Sequence, residues 1–245
     1  MSVKIKLKVD GDILSKLAWR MYSHLNDWQS RWSHQQFHRN RILHKPRQVG
    51  ADWYFTLEAL NDACLTGRNK IFIGDSNIIE SDIDYLLMHF NEKFVSPFDL
   101  HRELAINKKF IIELDNGAII YFISSEEPYL AGICGDVYVP EWSWNEDVRS
   151  VVLRALDLSK NNKWRRTFYS SRSEFDNGST CGIDRNIFRD NKIFSELTYF
   201  DRVNFFESIK IDTPISNEVA NTLAQLKEHM SPNQFMEMQM CKFQG

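Results

Sequence analysis

The stretch Ile42-Leu43-His44-Lys45-Pro46-Arg47-Gln48-Val49-Gly50-Ala51-Asp52-Trp53-Tyr54-Phe55 decides how this chain is read. A short apolar run from Arg41 to Leu43 has the character of a core strand, and the residues after Gly50 have that of a helix, so the segment between them is a strand-to-helix loop. A phosphate-binding loop has this layout and the form G-x-x-x-x-G-K-[ST]. Its backbone N–H groups cradle phosphate, its lysine neutralises charge and its hydroxyl holds Mg²⁺. On that frame Gly50 falls on the second glycine, Lys45 on the first, Ala51 on the lysine and Asp52 on the hydroxyl. Taken alone, the match is poor.

The surrounding sequence resembles the large, ATPase-bearing subunit of tailed-phage terminases, in particular the branch from temperate contractile-tailed phages. In that branch the loop reads K-x-R-Q-[IV]-G-A-T followed by aromatics, and Lys45, Arg47, Gln48, Val49, Gly50 and Ala51 fit it. The missing lysine at position 51 is then a trait of the branch, with the cation moved to the start of the loop. Asp52, where the family has Thr, is a departure. Upstream, Asp27-Trp28-Gln29-Ser30-Arg31-Trp32 is similar to the aromatic-Gln segment that contacts adenine. Downstream, Thr66 to Ile73, Leu114 to Phe122, Lys163 to Ser171, Ser231 to Phe235 and Met240 to Phe243 keep family order and spacing. The resemblance is good over about residues 20 to 175 and returns in the last fifteen or so.

A loop of this class needs an acidic pair at the end of a neighbouring strand: Asp to hold Mg²⁺ and Glu to orient the attacking water. In Gly135-Asp136-Val137-Tyr138-Val139-Pro140-Glu141-Trp142, the resemblance puts Glu141 in the catalytic place and Pro140 where the Asp belongs. Asp136 is no substitute. Four residues of strand span about 13 Å at roughly 3.3 Å each, which puts it at the wrong end.

The resemblance therefore implies a catalytic Glu141, phosphate contacts from Lys45, Arg47, Gln48, Gly50 and Ala51, and adenine contacts from Trp28 and Gln29. It also implies γ-phosphate sensing by Ser170 and Ser171, and a Mg²⁺ ligand in Asp52. ATP and Mg²⁺ are the implied cofactors; other terminase subunits, a portal and double-stranded DNA are the implied partners; the bacterial host cytoplasm is the implied location.

Composition sets outer bounds. At 245 residues the chain has room for one large α/β domain, and 43% hydrophobic with 26% charged residues is ordinary for a globular protein. A formal net charge of −3 argues against a freestanding DNA binder that depends on phosphate neutralisation. Basic runs do occur at 38–47 and 160–166. Cys64, Cys134, Cys181 and Cys241 form no C-x-x-C pair and read as reduced thiols. No apolar run approaches the length of a membrane span. His34 and His38, one helical turn apart, lack the further ligand and buried surroundings of a zinc site.

The pattern predicts a strand over 1–10, a helix over 12–25, a helix over 50–65, a strand over 70–74 and a helix from Ser81 to Asn91. Asn116-Gly117 between two apolar runs is a strong hairpin signal, with strands over 110–114 and 118–124. Further strands are expected over 136–139 and 167–170, a strand pair or edge strand over 202–211, and a helix over 217–230 capped by Ser216. Alternating helices and strands predict an α/β fold with a mainly parallel central sheet and helices on both faces. That is the layout of the additional-strand P-loop class to which terminase ATPases belong. Residues 1–175 are expected to form the ATPase core and 176–245 its closing part, with neither the nuclease domain nor the helix-turn-helix segment of the family.

Three functions compete: an ATPase domain with weakened or lost hydrolysis, an active DNA-packaging motor subunit, and a non-catalytic protein that interferes with a terminase or portal. Pro140 and Asp52 favour the first.

Overall fold

A computed structural model describes residues 3–90, 109–127, 131–145, 147–171, 198–208, 224–225 and 227–238. Eight strands form one sheet in the order β1-β4-β5-β3-β6-β7-β2-β8. They are β1 (Val3–Leu7), β2 (Asn40–His44), β3 (Lys70–Gly74), β4 (Lys109–Leu114), β5 (Ile119–Ser124), β6 (Asp136–Pro140), β7 (Arg166–Ser170) and β8 (Thr198–Arg202). All neighbours are parallel except β4 and β5, which form the Asn-Gly hairpin. Gly117 takes φ 92° at its turn. The loop strand β2 and the Glu141 strand β6 are not neighbours, because β7 is inserted between them. The additional-strand arrangement expected from the resemblance is therefore present.

Helices α1 (Gly11–Ser23), α3 (Ala51–Thr66) and α4 (Ser76–Phe90) build the larger core on one face of the sheet, around Leu17, Phe55, Leu57, Ile79, Ile83 and Leu86. On the other face α5 (Val148–Leu158) packs Val151, Val152 and Ala155 onto Ile71, Val137 and Phe168. Its spacing buries one stripe, and Asp147 caps it by accepting from Ser150 N at 2.9 Å. The short α2 (Asp27–Ser33) rests on a capping box in which Asn26 and Gln29 exchange side-chain and backbone bonds.

A buried ion pair ties β2 to α3. Arg41 donates two bonds to Glu58, at 2.9 and 2.5 Å, and Glu58 also accepts from Tyr54 and Tyr138. Burial alone would drive the Glu58 pKa up, but the Arg41 charge and these donors hold it below the usual carboxylate range.

Several expected elements differ. Helix α4 begins at Ser76 rather than Ser81, because Asp75 accepts from Asn77 N at 2.9 Å and starts the turn early. Helices α2 and α5 were not anticipated. β8 is an edge strand at Thr198–Arg202 and gives way to a 3₁₀ turn at Phe205–Ser208, where a strand pair or edge strand was expected over 202–211. In the predicted helix over 217–230, residues 224, 225 and 227–229 are helical and most of the rest lies outside the described residues. A further helix, α6 (Pro232–Met238), follows. Cys181 and the Met240 to Phe243 match also lie outside them. No described helix is long and apolar enough to cross a membrane.

Candidate functional site

Strands β2, β6 and β7 run parallel, so their C-terminal ends open at one edge of the sheet, and the loop 45–50 crosses that edge into α3. Gly50 is the N-cap of α3, at φ 75° and with no capping side chain. The first N–H groups of a 16-residue helix are thereby presented to the loop, an arrangement suited to anions. Gln29 braces this turn from α2. Its Nε2 donates to the Gly50 carbonyl at 3.0 Å, and its Oε1 accepts from Asn26 N at 3.0 Å.

Lys45 is buried, and its Nζ binds Glu141 Oε1 across β7. The other Glu141 oxygen accepts from Ser171 N at 2.7 Å, Ser171 Oγ at 2.8 Å and Ser170 Oγ at 3.2 Å. Burial would raise the Glu141 pKa, but Lys45 and the Ser171 donors overcome it and keep the group ionised. Glu141 at φ 42° and Gln48 at φ 60° are the two non-glycine residues with positive φ among those described. Both lie in this site. Such conformations cost on the order of 1–3 kcal/mol each and cluster where function requires them.

The turn after Glu141 clamps β7. Ser143 Oγ binds Ser170 Oγ at 2.6 Å, and Trp144 Nε1 donates to Ser171 Oγ at 2.9 Å. Arg47 is exposed, with its guanidinium 4.5 Å from the Trp144 ring centroid. The loop and the Glu141 turn are thus linked twice, by Lys45–Glu141 and by Arg47–Trp144. Pro140 packs against Gly74 of β3, where an added Cβ would lie 3.3 Å from the proline ring.

Asp52 stands in the first turn of α3, and its Oδ1 is buried without a hydrogen-bond partner. Burial raises its pKa, Lys45 partly offsets that, and Glu141 adds to it. Sequence reasoning missed a second carboxylate nearby. Asp82 of α4 has 0% exposure and neither of its oxygens has a partner. Burial pushes it well above the usual range; the Asp52 charge raises it further, Lys45 opposes and Glu141 adds. The Tyr169 hydroxyl is buried, unpartnered and influenced by the same three carboxylates. The available signal was an acid within the apolar stripe of Ile79, Ile83, Leu86 and Phe90. Among the described residues no group of three or more His, Cys, Asp or Glu side chains is arranged to hold a metal ion.

Trp28 is placed differently from expectation. Its ring has 0% exposure and packs edge-on against Tyr54, with centroids 5.5 Å apart, so it has no face open to a base. Trp32 is equally buried and donates to Asp201 at 2.9 Å. Three arginines of the basic runs are absorbed internally, while Arg47, Lys160 and Lys163 stay exposed. Arg41, Arg165 and Arg166 are partnered within the fold, and Asp136 is held at the far end of β6 by Arg68, Lys70 and Arg165.

Residues 42–237 match the family model described as terminase large subunit, T4likevirus-type, N-terminal. The chain belongs to this family. It is 31% identical over 175 residues to a probable terminase ATPase subunit of Haemophilus phage HP1, covering 69% of this chain and 27% of that protein. It is 25% identical over 202 residues to the terminase ATPase subunit of Escherichia phage P2, covering 82% of this chain and 31% of that protein. It therefore spans less than a third of the length of either relative. In fold it is similar to the large terminase ATPase domain of Thermus phage P74-26, with a TM-score of 0.56 at 12% identity over 97% of this chain and 100% of that one. The bacteriophage HK97 large terminase aligns with a TM-score of 0.56 at 10% identity, over 89% of this chain and 50% of that one. The P-loop fold of terminase ATPase domains is thus confirmed for this chain.

Proposed function

We propose that this chain is a terminase ATPase domain that binds ATP at the Lys45–Asp52 loop and hydrolyses it slowly. The observation that carries the reading is the Lys45–Glu141 contact, which brings the loop cation and the strand-end acid of a P-loop ATPase onto one another while Pro140 occupies the place of the metal-holding Asp. Lys45 and Arg47 would meet the phosphates, with the N–H groups from Gln48 to Asp52 around them. Ser170 and Ser171, already on Glu141, would carry the γ-phosphate state to that acid. Gln29 acts by steadying Gly50, and reaches a base only by giving up that bond.

The residues present fit a divalent cation, since Asp52 turns a buried, unpartnered carboxylate oxygen into the site. When bound, Mg²⁺ would neutralise charge on the phosphates. Two features argue for slow turnover: Glu141 is engaged with Lys45, and the strand-end carboxylate is missing. The pairing of β8 with β2 supports reading residues 176–245 as the closing part of the same domain. In its natural setting the partners would be other terminase subunits, a portal and double-stranded DNA in the bacterial cytoplasm.

Steady-state ATP hydrolysis with Mg²⁺ tests this. The wild type should turn over little, and Pro140→Asp combined with Asp52→Thr should raise the rate. Robust hydrolysis by the unmodified chain, lost in Glu141→Gln, would overturn the proposal in favour of an active packaging motor. No turnover by either protein, with both folded, would favour a binding role such as interference with a terminase or portal.

A further inference from the structure

Asp82 has no part in the site described by the family pattern, yet it is placed as if built for a ligand. It sits on the second turn of α4, which packs along α3, and it lies within electrostatic reach of Asp52 in the first turn of α3. A carboxylate with 0% exposure and no hydrogen bond at either oxygen is costly, by several kcal/mol if ionised and unpaired. Three orphaned polar groups, Asp52 Oδ1, both Asp82 oxygens and the Tyr169 hydroxyl, are buried within electrostatic reach of one another. The Lys45 ammonium beside them is bound to Glu141. These buried carboxylate oxygens thus make no hydrogen bonds, and a cation is a component that would satisfy them.

We propose that Asp82, with Asp52, holds the divalent cation that accompanies the nucleotide, replacing the strand-end acid lost at Pro140. The inference rests on the nucleotide-binding reading above. Mg²⁺ is commonly held by one or two carboxylates together with phosphate oxygens and water, so two acids suffice and a cage of three is not required. The change at the two family positions is then coherent. The hydroxyl at the head of α3 has become an acid, the acid at the end of β6 has become proline, and the second carboxylate comes from α4.

The test is the Mg²⁺ dependence of nucleotide affinity, measured with a fluorescent, non-hydrolysable ATP analogue in Mg²⁺ and in EDTA. The wild type should bind more tightly with Mg²⁺. Asp82→Asn, nearly isosteric, should lose that enhancement by about tenfold or more, the scale on which lost ligand-shell contacts weaken metal affinity. Its affinity in EDTA should be unchanged or higher, because a negative charge has been removed. Adding Pro140→Asp to Asp82→Asn should restore the enhancement, a result that a purely structural role for Asp82 would not give. Full Mg²⁺ enhancement in folded Asp82→Asn, or none in the wild type despite nucleotide binding, would overturn the inference and leave the nucleotide site intact. Failure of the wild type to bind the analogue at all would overturn both.

Discussion

Glu141→Gln separates the role of the Lys45–Glu141 pair in stability from its role in binding. In the nucleotide-free protein one Glu141 oxygen faces Lys45 and the other accepts from Ser171 N, Ser171 Oγ and Ser170 Oγ. A glutamine keeps the second set through its carbonyl oxygen, so the damage is confined to the Lys45 side. What is lost is a charge-assisted hydrogen bond, worth about 1.5–3 kcal/mol. Stability should fall by about that amount. Binding should move the other way. A phosphate that takes Lys45 must first release it from Glu141, so removing that competitor raises affinity by a similar free energy. At about 1.4 kcal/mol per decade the gain is about ten- to a hundredfold. Urea unfolding followed by tryptophan fluorescence gives the first quantity, and titration of a fluorescent ATP analogue gives the second. Stability and affinity falling together, or affinity unmoved, would refute the argument that Lys45 is held in reserve by Glu141.

Gly50→Ala should cost about 1–2 kcal/mol of stability, because φ 75° is a left-handed conformation and the new Cβ would lie 3.2 Å from Gln29 Nε2. Urea unfolding measures the loss, and nucleotide affinity should drop as the Gln29 brace loosens. His89 predicts an acid-dependent loss of stability. Its Nε2 meets the Trp53 carbonyl at 2.9 Å and its Nδ1 meets Arg20 at 3.3 Å, which suits a neutral ring, and burial with the nearby Arg20 and Lys16 charges lowers its pKa to about 4. The unfolded ring, at about 6.5, takes up a proton that the folded ring refuses, so stability falls as pH drops from about 6.5 to about 4. Between pH 7 and 5 the loss from this residue is roughly 2 kcal/mol, and unfolding curves of His89→Gln should show a correspondingly shallower fall.

The parts of this fold that were legible in the sequence are those governed by local chemistry. Gly50 and Gly67 bracket α3 because both take positive φ at its ends, and Asn116-Gly117 closes β4 onto β5. The family pattern around Lys45 and Glu141 pointed to two segments 96 residues apart that do meet. What escaped depends on tertiary packing. Trp28 looked available to a base, but Tyr54 and Phe55 close over it when α2 docks on α3. Asp82 belongs to no motif, and only the packing of α4 on α3 brings it within electrostatic reach of Asp52, Lys45 and Glu141. Arg165 and Arg166 read as part of a basic patch, yet the acids Asp62 and Asp136 and the hydroxyl of Ser159 draw them inward.

The central claim, that the loop between β2 and α3 is a working nucleotide site whose cation is Lys45, is tested most directly by equilibrium binding of ATP to the wild type and to Lys45→Ala. The account predicts saturable binding by the wild type and a loss of about tenfold or more in the variant, the size expected when a charged hydrogen bond to phosphate is removed. Equal affinity of the two folded proteins, or no binding by the wild type, would contradict it.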